Sequence, residues 1–136
     1  MEDCIFCKII RGEIPAAKVY EDDNVLAFLD IHPVREGHTL VIPKQHVSEF
    51  QEMETPSYEK VMGAVKKIAK TLRKNTDAKR VGISIIGFDV PHAHVHVIPL
   101  HETDDITSQR KIDGLLGNPT QEERAETAEK IRAALS

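Results

Sequence analysis

Three histidines hold alternate positions in the apolar run His92-Ala93-His94-Val95-His96-Val97-Ile98-Pro99. An extended strand turns successive side chains to opposite faces and rises about 3.3 Å per residue. The spacing therefore predicts three imidazoles in a row about 6.7 Å apart, with Val95 and Val97 on the other face. Alternation of this kind commits the segment to a sheet with one face given to chemistry.

At neutral pH an imidazole offers a nitrogen able to attack phosphorus, while its neighbours donate hydrogen bonds or carry protons. The row has two other readings on these residues alone. It is also compatible with solvent-facing histidines on an ordinary strand, and with a zinc ion shared by three imidazoles.

The rest of the chain narrows the field. At 136 residues, 40% hydrophobic and 29% charged, it suits one globular domain with a real core, and 1–136 is read as a single unit. The formal charge is −4 and no basic cluster is interleaved with aromatics, which argues against a nucleic-acid backbone as partner and leaves a nucleotide as the better candidate. No apolar run approaches the ~18 residues that span a bilayer, so no membrane partner and a cytoplasmic location are expected.

The two cysteines form Cys4-Ile5-Phe6-Cys7, a spacing that suits half of a tetrahedral zinc site or a redox pair. A thioredoxin-like pair would follow a strand, and none precedes this one, so metal is favoured.

Periodicity and turn chemistry give the element order. Residues 4–11 make a short helical turn ended by Gly12 and Pro15. Strands at Ala17–Tyr20 and Val25–Leu29 flank the polar turn 21–24, and a third runs from His38 to Ile42 before Pro43. Tyr58, Val61, Met62, Val65, Ile68, Ala69 and Leu72 recur at helical spacing, with Pro56 at the first helical position after Thr55. Strands Arg80–Ile86 and Ala93–Leu100 follow as antiparallel neighbours, which puts the histidines on a central or near-central strand. Residues 101–119 read as a surface excursion, and Thr120-Gln121-Glu122-Glu123 as a capping box opening a last helix to about Leu135. The predicted class is α+β on an antiparallel sheet.

Cys4-Ile-Phe-Cys7-Lys-Ile-Ile, Leu29-Asp30-Ile31, Gly37-His38-Thr-Leu-Val-Ile-Pro-Lys-Gln-His46 and the three alternate histidines together resemble the histidine-triad (HIT) family. The likeness is strongest to its bacterial branch of small nucleotide-binding phosphoramidate hydrolases, and it covers residues 4 to 100. It implies a five-stranded antiparallel sheet with one long helix and a C-terminal helix, extended across a homodimer into ten strands. Residues 101–136 are then a more variable extension. The implied activity is hydrolysis of a purine nucleoside phosphoramidate or related nucleotide at the α-phosphate. A dinucleoside polyphosphate hydrolase, a nucleotide-binding regulator with little turnover and a zinc-stabilised dimeric interaction module are the alternatives.

Residue by residue, the resemblance makes His94 the nucleophile and gives His38 and His96 the phosphate oxygens and the leaving group. Asp30 takes the ribose hydroxyls, and Phe6, Ile9, Phe28, Ile31 and Leu40 wall the base. It moves the metal away from the three-imidazole reading: Cys4, Cys7, His46 and His92 become a closed, structural Zn2+ site with no open position. The chain departs from the pattern at Ser84-Ile85-Ile86-Gly87-Phe88-Asp89-Val90-Pro91. That stretch is short, lacks the Asn and Gln that many members carry, and has Asp89 where Ser or Thr usually serves the phosphate. A carboxylate there repels a phosphate unless it points away or is neutralised.

Overall fold

The computed structural model describes residues 3–105, 114 and 116–136. In chain order it contains α1 (Ile5–Ile10), β1 (Lys18–Glu21), β2 (Val25–Leu29), β3 (Thr39–Pro43), a 3₁₀ turn at Phe50–Glu52, α2 (Thr55–Asn75), β4 (Arg80–Ser84), β5 (Val95–Leu100), a second 3₁₀ turn at Thr103–Asp105 and α3 (Gln121–Leu135). All pairings are antiparallel and the strand order is β1-β2-β3-β5-β4. The predicted α+β class and five-stranded sheet are present. Residues 106–113 and 115 of the 101–119 excursion lie outside the described residues.

Strand β2 shows why the middle of the sheet is buried on both faces. All five of its residues are buried, and their alternation divides them between two cores. Val25, Ala27 and Leu29 join Val41, Val95 and Val97 under the long helices, against Val61, Val65, Ile68 and Leu72 of α2 and Ala128 and Ile131 of α3. Leu26 and Phe28 join Leu40 and Ile42 on the opposite face, under Cys4, Phe6, Cys7 and Ile9 at the chain start. Each fully buried Val, Leu or Ile contributes about 1.5–3 kcal/mol, so the α2 stripe is the main anchor of the first face.

Two helix starts compare sequence with structure. Thr120 accepts from the Glu123 N–H while the Glu123 side chain accepts from the Thr120 N–H, the reciprocal cap read from the sequence. For α2 the cap position falls to Glu54, which makes no side-chain cap bond. Thr55 is the first helical residue, so Pro56 sits one place further in than expected. Among the described residues no helix is long and apolar enough to cross a membrane.

The histidine segment is the informative departure. The ladder between β3 and β5 runs from Thr39↔Val97 to Val41↔Val95 and stops there, so only His96 lies within the strand. Before it the chain bonds elsewhere: the Ala93 N–H donates to the Val47 carbonyl at 2.7 Å and the His92 N–H to the Val90 carbonyl at 2.8 Å. Strand β3 ends at Pro43, and the residues that follow it turn toward His92–His94 instead of extending the ladder. Entry to β3 is also constrained, because Gly37 has φ +97 and a Cβ there would meet Leu72 Cδ2 at 3.2 Å and Pro99 Cγ at 3.3 Å. A side chain at 37 would be strained and crowded immediately before His38.

Candidate functional site

Four donor groups converge at the chain start. Cys4 is the N-cap of α1 and its sulfur accepts from the Cys7 N–H at 3.4 Å. The His92 ring Nδ1 lies 3.4 Å from Cys4 Sγ and 3.6 Å from Cys7 Sγ, and His46 Nδ1 lies 3.2 Å from Cys7 Sγ. All four ligand atoms fall within 4.8 Å of one another.

The donor set fits a tetrahedral ion. Zinc–sulfur bonds of about 2.3 Å and zinc–nitrogen bonds of about 2.0–2.1 Å at tetrahedral angles put sulfur and nitrogen about 3.5–3.6 Å apart, close to the separations found. The His92 ring is in the right form for this. Its Nε2 lies 2.8 Å from the Pro43 carbonyl, which can only accept, so Nε2 carries the proton and Nδ1 presents a bare lone pair to the sulfurs. His92 is fully buried, and that burial holds its pKa below the ordinary value and keeps the ring neutral. Burial and the neighbouring Cys4 push the Cys7 thiol up, an effect that a dication between the sulfurs reverses.

A second constellation begins two residues on. His94 Nδ1 lies 2.7 Å from the His92 carbonyl, so Nδ1 carries the proton and Nε2 holds the free lone pair. His38 Nδ1 accepts from the Val34 N–H at 3.1 Å, which places its proton on Nε2, 2.9 Å from His96 Nδ1. His96 Nδ1 therefore accepts, and its own proton is on Nε2. Rings 94 and 96 stand 5.0 Å apart between centroids, closer than flat-strand spacing predicts because His94 precedes the regular strand.

Burial keeps His38 and His96 uncharged. Desolvation, with the nearby His38 and His94, pushes the His96 pKa down to about 4, and desolvation lowers His38 against the opposing pull of Asp30. Asp30 Oδ2 lies 3.6 Å from His38 Nε2, while Oδ1 accepts from the His32 N–H at 2.8 Å. Asp30, His38 and His96 are close enough to be read as a metal trio. The two nitrogens are 2.9 Å apart in rings whose centroids are 5.1 Å apart, so they face each other along the line joining the rings. That is the geometry of a shared proton, whereas two ligands would converge on a third point about 2.0–2.1 Å from each.

His38, His94 and His96 line one cavity of about 410 Å³ with Asp30, Ser84 and Asp89. Phe6 bridges the two constellations, its ring centroid 5.9 Å from His92, 5.2 Å from His94 and 5.4 Å from Phe28. Phe6, Ile9, Phe28 and Leu40 are buried together beside the histidines, whereas Ile31 is 55% exposed.

Several contributors escaped the sequence reading. Ser84 lies opposite His96 across the β4–β5 ladder, a position that alternation along β4 could have indicated. Asp105, 1% exposed, accepts from the His101 and Glu102 N–H groups and pairs with Arg35 Nε at 2.8 Å. This clamp ties the loop carrying Asp30 and Val34 to the turn after β5, across 70 residues of sequence, and no local pattern announces it.

Residues 11–103 match the HIT domain model. An uncharacterized HIT-like protein of Borreliella burgdorferi is 46% identical over 81% of this chain and 84% of its own length. The adenosine 5′-monophosphoramidase of Schizosaccharomyces pombe is 41% identical over 71% of this chain and 73% of its own. Among solved structures, a HIT-like protein from Bartonella henselae superposes with a TM-score of 0.83 at 37% identity, covering 98% of each chain. A zinc-bound histidine triad protein from Mycobacterium smegmatis gives 0.79 at 32% identity, covering 98% of this chain and 94% of its own. With that match spanning both cores and both histidine constellations, the chain belongs to the HIT family.

Proposed function

We propose that the protein is a purine nucleoside phosphoramidate or nucleotidyl hydrolase that works through a nucleotidyl-histidine intermediate on His94. The observation that carries this reading is the fixed tautomer of His94. Its Nδ1–H is held by the His92 carbonyl, which leaves the Nε2 lone pair free on a ring lining a cavity large enough for a phosphoryl group. The monophosphoramidase relative adds support from outside the chain.

The reaction divides into two displacements. In the first, His94 Nε2 forms a bond to the α-phosphorus, the phosphorus–nitrogen bond of the substrate breaks, and the amine leaves with that electron pair. The His38–His96 pair supplies the proton, which passes from His96 Nε2 to the leaving nitrogen as that bond breaks. In the second, water attacks phosphorus, the bond to His94 breaks with its electron pair returning to Nε2, and the water proton goes back to the pair. Each half is an easier substitution than direct hydrolysis. His96 Nε2–H also donates to a phosphoryl oxygen as charge builds there, with the His38 Nε2–H holding the His96 ring in that tautomer. Asp30 takes the ribose hydroxyls, and Phe6, Ile9, Phe28, Leu40 and Ile31 form the base wall. Asp89 lies at the phosphate end.

Cys4, Cys7, His46 and His92 would hold zinc, four-coordinate and closed. It supplies cross-linking of the chain start to the sheet rather than a Lewis acid. The chain is also read as one domain, 1–136, that pairs with a second copy along β4. That edge strand and its following loop expose Ile83 at 46%, Ile86 at 60% and Phe88 at 93%. Sedimentation at micromolar concentration tests this: a monomer would refute the pairing, and two unfolding transitions would refute the single domain.

The deciding experiment is a rapid quench of the protein with an adenosine phosphoramidate, read by mass spectrometry. The expected result is an adenylyl adduct on His94 that decays to AMP. Tight AMP binding with no adduct and no product would instead identify a nucleotide-binding regulator.

A further inference from the structure

The catalytic cavity is unusual for a site that handles phosphate. Its described lining contains two carboxylates, Asp30 and Asp89, and no lysine or arginine. The buried histidines do not compensate, because His38 and His96 are neutral at neutral pH. Anion sites ordinarily supply a fixed cation or the start of a helix. Here the field favours positive charge.

The two carboxylates sit on opposite sides of the histidines. Asp30 follows β2, Asp89 lies between β4 and β5, and the strand order β2-β3-β5-β4 puts β3, which His38 immediately precedes, and β5, which carries His96, between them. Both carboxylates act on His96 through space. Among the described residues no hydrogen bond or ion pair occupies Asp89, and it is exposed at the cavity rim. With the ribose held on the Asp30 side, attack by His94 drives the leaving group toward the other side.

Resting on the nucleotidyl-transfer reading above, we infer that Asp89 is a specificity-determining residue that selects leaving groups bearing a positive charge. The preferred substrates are then nucleoside phosphoramidates of diamines. Nucleotides whose leaving group is sulfate or phosphate are disfavoured. The bonds made and broken are unchanged: the phosphorus–nitrogen bond is cleaved, and the second, distal ammonium of the departing amine pairs with the Asp89 carboxylate. At a solvated rim this pairing is worth about three- to tenfold in kcat/KM and weakens with ionic strength.

The test compares three adenosine phosphoramidates made from a diamine, from an alkylamine of the same length, and from the corresponding amino acid through its amine. kcat/KM is measured for the wild type, Asp89→Asn and Asp89→Ser at low and high salt. The expected wild-type order is diamine, alkylamine, amino acid, with about three- to tenfold between neighbours at low salt and less at high salt. In both variants the ratios fall toward one. Equal ratios in the wild type, or ratios unchanged by Asp89→Asn, would overturn the inference while leaving the His94 chemistry standing. Failure of all three compounds to adenylylate His94 would overturn the chemistry and the inference together.

Discussion

His92 and His94 are two residues apart, both buried, and both in contact with the Phe6 ring, yet the fold gives them opposite tautomers. The Pro43 carbonyl takes the Nε2 proton of His92, and Nδ1 is left for the sulfurs. The His92 carbonyl takes the Nδ1 proton of His94, and Nε2 is left for the cavity. Under the proposed reading, identical side chains on one short segment serve as a metal-ligating group and a nucleophile, and a single backbone oxygen sets the tautomer in each case. On this account the first constellation carries stability and the second carries chemistry.

The largest effect that separates the two regions should come from His94→Asn. Turnover of an adenosine phosphoramidate should fall by about 10³–10⁴-fold while the melting temperature and AMP affinity stay near wild type, as steady-state kinetics and calorimetry would read. Residual turnover within tenfold of wild type would erase the distinction. Cys7→Ser, or exhaustive chelation, should do the reverse. Loss of a structural metal is expected to cost about 4 kcal/mol, seen as a fall of roughly 10 °C in melting temperature together with loss of stoichiometric zinc. A zinc-free protein of unchanged stability would refute the metal half of the comparison.

His96→Asn and His38→Asn should each lower kcat by about 10²-fold, less than loss of the nucleophile, because each breaks the pair that delivers the proton and donates to the phosphoryl oxygen. The pH dependence of stability gives the smallest and sharpest test. His96 is depressed to about 4 in the folded protein, so the unfolded chain binds its proton first as pH falls. Its stabilising contribution is complete above about pH 6.5 and is lost between there and about pH 4. Urea unfolding should show about 1–2 kcal/mol less stability at pH 5 than at pH 7.5 from this ring, after allowance for its partial exposure. His96→Asn should remove that increment.

What could be read from the chain beforehand followed the range of each signal. The α2 stripe and the Thr120 cap are local patterns, and the five strands emerge within two residues of their predicted ends, because period and turn chemistry act over a few positions. The residues of both constellations were likewise visible, as motifs shared with a family. Their protonation states were not. These depend on the Val34 N–H reaching His38 and on the Pro43 carbonyl reaching His92 across 49 residues, contacts made by backbone groups that every sequence possesses. The 101–105 turn escaped for the same reason, since the Arg35–Asp105 pair joins segments 70 residues apart.

The ring nitrogens themselves report most directly on the claim that one segment holds two tautomers for two tasks. In a ¹⁵N-labelled sample at pH 7, long-range proton–nitrogen correlation should find His94 protonated at Nδ1 alone and His92 protonated at Nε2 alone, its Nδ1 shifted by the metal. Finding the proton of His94 on Nε2 would leave the cavity without a nucleophile and contradict the account.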